Sequence, residues 1–171
     1  PKQCLPALER GLPVLLEKPV AKSLAEAQVL ADAIRRTGTP LLLGYTWRWW
    51  PPLAKVRALL SENAIGTVRY VDFTMSAHLA DWHPGEPLAE FFMSSAELGG
   101  GALLDESHWV DLMLWFFGMP ESLSARVEKI SDLDITSDDN VDMMINFASG
   151  LRANLHPDLD RPPPGQLLRC P

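Results

Sequence analysis

Hydrophobic positions in this chain change period several times, and each change marks an element. Leu5, Ala7 and Leu8 recur as the last turns of a helix do, and Gly11 follows where a left-handed residue ends one. Val14-Leu-Leu16 is a short continuous apolar run between Pro13 and Pro19, which predicts a parallel strand buried on both faces. Ser23, with Glu26 three residues later, forms a capping box. Leu24, Ala27, Leu30, Ala31 and Ile34 then mark one face of a helix that Arg35, Arg36 and Gly38 close. Pro40 to Gly44 predicts a second buried strand. Helix, strand, helix, strand in that order is the logic of a βαβ unit without its first half.

After Gly44 the pattern changes. Tyr45-Thr-Trp-Arg-Trp-Trp50 is aromatic, Pro51-Pro52 punctuates it, and Leu53, Val56, Leu59 and Leu60 continue as an amphipathic helix to Asn63. Val68 to Met75 is rich in β-formers and predicts a strand, and His78 to Glu97 reads as a long irregular connection. Gly99-Gly-Gly101 leads into a helix carrying Leu104, Trp109, Leu112, Met113 and Phe116, ended by Gly118 and Pro120. Ser122–Ile130, Val141–Phe147 and Leu151–His156 predict three more strands, the last two joined by a turn at Ser149-Gly150. The first residue is not Met, and the end from Arg161 is proline-rich without periodicity, so the chain reads as a piece of something longer.

Composition narrows the classes. The chain has 171 residues, 47% of them hydrophobic and 22% charged, which is a globular balance. A net charge of -7 does not suit a phosphate backbone or an anionic bilayer, so neither nucleic acid nor membrane is an expected partner. No apolar run reaches the roughly 18 residues of a membrane span. Cys4 and Cys170 stand far apart without metal-binding spacing, which suits a cytoplasmic location.

Two clusters could carry chemistry. Glu17-Lys18-Pro19 ends a strand, where ligands of open α/β sheets sit. There Glu17 could hold the Lys18 ammonium, or the pair could be a solvated loop ion pair. Asp105, His108 and Asp111 are each three apart, which places them along one side of a helix behind three glycines. That spacing predicts a carboxylate holding the imidazole and raising its pKa, with the glycines admitting a ligand. The same residues also fit a capped helix with a structural histidine. Asp105, His108, His83 and His156 offer metal ligands, but only the first two are local, so no metal is expected. Asp81-Trp-His-Pro-Gly-Glu86 fits either a sugar-facing loop or a plain loop with one packed tryptophan.

Glu17-Lys18-Pro19, the strand into Gly44-Tyr-Thr-Trp-Arg48, and the run GGGALLDESHWVDLMLWFFG resemble, in that order and separation, the Gfo/Idh/MocA family of nicotinamide-dependent oxidoreductases. The resemblance covers nearly the whole chain. Asp81-Trp-His-Pro and Glu97-Leu-Gly-Gly-Gly101 are similar to the branch acting on sugars or modified sugars. It implies an α/β fold, α+β within these residues: the C-terminal part of a Rossmann domain over 1–44, then a truncated α/β substrate and oligomerisation domain over 45–171 with a mostly antiparallel sheet. The implied activity is hydride transfer between NAD or NADP and a hydroxyl or carbonyl of a sugar, inositol or related polyol. By the same resemblance Lys18 sits beside the nicotinamide and the reacting hydroxyl, Glu17 and Pro19 shape its turn, and Arg48 lies near the cofactor. His108 becomes the acid/base and Asp105 its partner, although many members space that pair one residue further apart. Trp82, His83, Asp105 and His108 would face the substrate, and the open sheet face would pair subunits into a homo-oligomer. The glycine-rich pyrophosphate fingerprint GxGxxG and its ribose-selecting acid are absent from the chain. A non-enzymatic sugar-binding or regulatory relative, or an oligomerisation module, would share the fold.

Overall fold

A computed structural model describes residues 2–82 and 84–161. The chain opens with α1 (Leu5–Glu9), β1 (Val14–Leu16), α2 (Leu24–Thr37) and β2 (Leu41–Leu43). β1 and β2 pair in parallel, Leu15 opposite Leu42, and Leu8, Leu30 and Ala33 fill the space between helices and strands. The helix ends follow the sequence: the Ser23 hydroxyl accepts the Glu26 N–H at 3.3 Å, and Gly38 takes φ 67° at the C-cap. The capping box is only half made, however, because Glu26 Oε2 is buried without a hydrogen-bond partner. Leu24 is also misplaced by the helical pattern. It is 84% exposed at the first helical position, and Ala33 takes the core place instead.

Burial on both faces of the short strands is not observed. Leu15 and Leu42 are exposed, because α1 and α2 cover only the face carrying Val14, Leu16 and Leu41. Side chains alternate along a strand, so the middle residue of each turns away from that layer.

α3 (Pro51–Ser61) leads to a four-stranded sheet in the order β3 (Tyr70–Ser76), β6 (Arg152–Asp158), β5 (Asn140–Asn146), β4 (Ser122–Glu128). β3 runs parallel to β6, and the other two pairings are antiparallel, so the sheet is mostly antiparallel as expected. One face packs under α5 (Ser107–Phe117), where Met113 meets Ile145, Ala153 and Leu155. The other face carries Asp72, Asp142, Met144, Asn154 and His156, which line a recess of about 490 Å³. The connection from His78 to Glu97 holds short 3-10 turns, and its Leu79 and Met93 are buried in a second core with Val141 and Leu159. No helix among the described residues is long and apolar enough to cross a membrane.

The single helix expected after the glycines is two: α4 (Ala102–Asp105) stops at Glu106, which has φ -87° and ψ 19°, before α5 begins. The cause is tertiary. The Asp105 carbonyl, which would accept the Trp109 N–H in a continuous helix, accepts the Lys18 ammonium at 2.8 Å. Trp109 N–H turns instead to the Glu106 carbonyl at 3.0 Å. The glycines are required by the protein's own packing. A Cβ on Gly100 would collide with the carbonyl oxygens of Phe92 and Met93, and one on Gly101, at φ 114°, with the Asp138 carboxylate. Asp138 occupies the start of α4 itself, its carboxylate accepting the Leu103 N–H at 2.8 Å.

Candidate active site

The site assembles where the parallel strands end against α4 and α5. Lys18 follows β1, and its peptide bond to Pro19 is cis. The ammonium donates to Asp105 Oδ1 at 2.7 Å as well as to the Asp105 carbonyl. The Lys18 side chain keeps 21% exposure against 3% for Asp105, so a buried carboxylate anchors a cation that still reaches outward. Glu17 does not hold this ammonium, as its turn position suggested. Its carboxylate lies over the end of β2, 2.7 Å from where a Cβ on Gly44 would stand. A side chain there would push the exposed, flexible Glu17 carboxylate aside.

His108 is buried, and Nδ1 has no hydrogen-bond partner. The expectation that a carboxylate holds and raises this imidazole is overturned, because Asp105 is committed to Lys18 and Asp111 to Arg48. Burial, and secondarily the Lys18 cation, push the imidazole pKa below its ordinary value, against weaker opposing pulls from Asp111, Asp105 and Glu17. Rings hold it in place of hydrogen bonds. The Trp47 indole stacks on it at 4.7 Å with planes 6° apart, and Tyr45 meets it edge-on at 5.7 Å.

Arg48 grips Asp111 with both arms, Nε to Oδ2 at 2.7 Å and Nη2 to Oδ1 at 2.6 Å, and its guanidinium lies 5.8 Å from the Trp115 ring. Such a fork ties the aromatic turn after β2 to the middle of α5. Glu106, at the helix break, accepts the Trp109 indole N–H at 3.1 Å. Burial, with Asp105 beside it, raises its carboxyl pKa, while Lys18 and the indole hydrogen bond act against this.

The structure does not tie every residue singled out in the sequence to this cluster. Trp82 is half-exposed after a 3-10 turn, and no hydrogen bond or ring contact ties it to Lys18 or His108. His83 lies outside the described residues. His156 faces the open side of the four-stranded sheet, away from α5, with Asp142 at 2.7 Å. Among the described residues no cluster of metal-ligating side chains forms. Spacing arguments missed Glu106 and the role of Trp47. The density of rings in Tyr45-Thr-Trp-Arg-Trp-Trp50 was the available signal.

Residues 53–167 match the family model described as the GFO/IDH/MocA C-terminal domain. The chain is 33% identical over 125 residues to trans-1,2-dihydrobenzene-1,2-diol dehydrogenase of Xenopus tropicalis, covering 71% of this chain and 36% of that protein. It is 30% identical to levoglucosan dehydrogenase of Pseudarthrobacter phenanthrenivorans over 122 residues, 70% of this chain and 30% of that protein. The chain thus spans about a third of the length of the curated relatives it matches. Among solved structures, the WlbA dehydrogenase from Bordetella pertussis, in complex with NADH and UDP-GlcNAcA, has the same fold: TM-score 0.82 at 21% identity, over 95% of this chain and 46% of that one. A levoglucosan dehydrogenase in complex with NADH and levoglucosan gives 0.82 at 23% identity, over 94% and 45%.

Proposed function

The chain belongs to the Gfo/Idh/MocA family of oxidoreductases, and from that membership we propose that its protein moves a hydride between NAD or NADP and a carbinol of a sugar, inositol or related polyol. The observation that carries this reading is the meeting of Lys18 and Asp105 beside His108. It joins the end of β1 to the α4–α5 break. Relatives named as dehydrogenases of a dihydrodiol, levoglucosan and D-apiose support the substrate class.

Residues 1–44 then form the end of the dinucleotide-binding domain and 45–171 the substrate domain. The residues present fit the nicotinamide end of the cofactor: Glu17, Lys18 and Pro19 lie past the carboxyl ends of two parallel strands, and Lys18 remains partly exposed. Arg48 stands at the next strand end. When bound, the nicotinamide supplies the hydride acceptor. Lys18, fixed by Asp105, steadies negative charge on the substrate oxygen as it develops. His108 takes the hydroxyl proton at Nε2, since Nδ1 is sealed, and its lowered pKa keeps it neutral and ready to accept. Asp105 thereby serves the lysine rather than the histidine, and Trp82 and His83 remain candidates for the outer substrate wall.

The open sheet face, with Arg126, Asp142, Asn154 and His156, offers charges of both signs to a second copy, and we assign self-association to it. The buried free thiol of Cys4 suits a reducing cytoplasm.

The test uses the full-length protein with NAD or NADP and a panel of polyols, pyranoses and anhydrosugars, following reduced nicotinamide by absorbance. Turnover on at least one is expected, with Lys18→Ala and His108→Ala each lowering kcat by roughly 100-fold or more. Saturable sugar binding by calorimetry without turnover would move the assignment to a non-enzymatic binding relative.

A further inference from the structure

We propose that Trp47 is a positioning residue for His108: its indole sets the plane of an imidazole that no hydrogen bond holds. This deepens the reading of His108 as the acid/base and rests on it.

A histidine that moves protons ordinarily has its second nitrogen bonded to a carbonyl or carboxylate, which fixes ring orientation and tautomer. His108 has no such partner, and Nδ1 is enclosed by protein. The ring is nonetheless over nine-tenths buried, at 8% exposure. Something must stop it turning about its own side-chain bonds. Trp47 lies nearly parallel over it, at 4.7 Å and 6°. Such offset stacking permits sliding but resists tilting, because tilting opens a gap across the whole shared face.

Trp47 is itself held. Trp109 stands against it at 4.9 Å and 89°, a T-shaped contact, and Trp109 is fixed at both ends. Its indole N–H donates to Glu106, and its ring meets Phe73 of β3 at 6.0 Å. The orientation of His108 is thus passed from the sheet and the helix break, through two indoles, to the imidazole. Tyr45 closes the remaining side at 79° to the ring. One short segment after β2 therefore supplies both rings that touch His108.

Removing the indole also changes the polarity around the ring. The charged and titratable groups facing His108 are Glu17 and Lys18 after β1, Tyr45 after β2, Asp105 on α4 and Asp111 on α5. Lys18 disfavours the protonated ring and the carboxylates favour it, while burial contributes most. Trp47 supplies part of that burial.

The experiment compares the full-length protein with Trp47→Leu and Trp47→Phe. Imidazole titration by NMR reads His108 directly, and steady-state kinetics read its use. In the unmutated protein the His108 ring protons are expected upfield, shielded by the indole face. In Trp47→Leu the titration midpoint should rise toward the ordinary histidine value. The acid limb of kcat/KM, which requires the neutral ring, should move up with it. The kcat should fall roughly 10- to 100-fold, the scale of a displaced reacting group, with the cofactor KM little changed. Trp47→Phe keeps a ring and should recover most of the loss. If Trp47→Leu does not fold, the ring shifts of the unmutated protein and the titration in Trp47→Phe still decide. Unshielded ring protons in the unmutated protein, or a midpoint that stays put in folded Trp47→Leu, overturn the proposal. A midpoint that moves in a protein without oxidoreductase turnover upholds the positioning role and removes the catalytic reading instead.

Discussion

Lys18 and Asp105, 87 positions apart in the chain, are joined twice by one ammonium, once through the carboxylate and once through the carbonyl. The two bonds do different work. The first neutralises a carboxylate at 3% exposure, and the second ends a helix. Removing either partner therefore has unequal consequences.

Lys18→Met leaves the Asp105 charge buried without a partner and should cost about 3–5 kcal/mol. Asp105→Asn leaves Lys18 its carbonyl bond and its access to water, so roughly 1–3 kcal/mol is expected. Lys18→Met/Asp105→Asn should resemble Asp105→Asn alone, because the orphaned charge is gone. Urea denaturation of the four proteins measures this cycle. Strictly additive losses would show that the pair is a solvated surface contact.

His108 makes stability depend on pH in a determined direction. Its folded pKa lies below the unfolded value of about 6.5, so the unfolded chain binds the proton more readily. The contribution is complete above that value and is lost as pH falls from it toward the folded pKa. Glu106 acts in the opposite sense. Its folded pKa is raised, so its contribution is present below the unfolded carboxyl value of about 4.3 and is lost as pH rises through the folded pKa. His108→Gln should flatten the loss of stability between neutral and mildly acidic pH. Glu106→Gln, which retains an acceptor for Trp109, should raise Tm near pH 8 and leave it unchanged near pH 4. Thermal melts of both variants across that range test the two signs separately. A steeper acid loss in His108→Gln would contradict the lowered imidazole pKa.

What was legible along the chain is what local chemistry decides. Ser23 and Gly38 bound α2 because a hydroxyl cap and a left-handed glycine act within a turn of themselves. β-forming residues located β3, and the Ser149-Gly150 turn set β5 beside β6, because strand propensity and turn chemistry act locally. Even the loop lysine was found, since strand ends are where ligands gather. Its partner was not, because pairing across 87 residues leaves no periodic trace. The three-residue spacing of Asp105, His108 and Asp111 misled for the same reason. It assumes one continuous helix, and that helix is interrupted by a side chain from outside it. Arg48 was placed at a strand end, but its fork on Asp111 needed the two elements to be brought together.

The glycines before α4 offer a last discrimination, between a segment kept bare for a ligand and one kept bare for the protein's own backbone. A Cβ on Gly100 would strike the carbonyls of Phe92 and Met93, which are backbone atoms of a 3-10 turn and cannot swing aside as the end of a side chain can. Gly150, by contrast, has φ 83° but nothing within 4 Å of a built Cβ. Gly150→Ala should therefore cost only the left-handed penalty of about 1–2 kcal/mol. Gly100→Ala should cost roughly 3 kcal/mol or more, because packed backbone must shift. Its kcat should also fall, since α4 presents Asp105 and through it Lys18. Denaturation and steady-state kinetics on the two variants separate the readings. If Gly100→Ala kept full stability and lost only affinity for a phosphate-bearing ligand, the bare segment would be a ligand cradle. The collision with Phe92 and Met93 argues for the protein's own backbone.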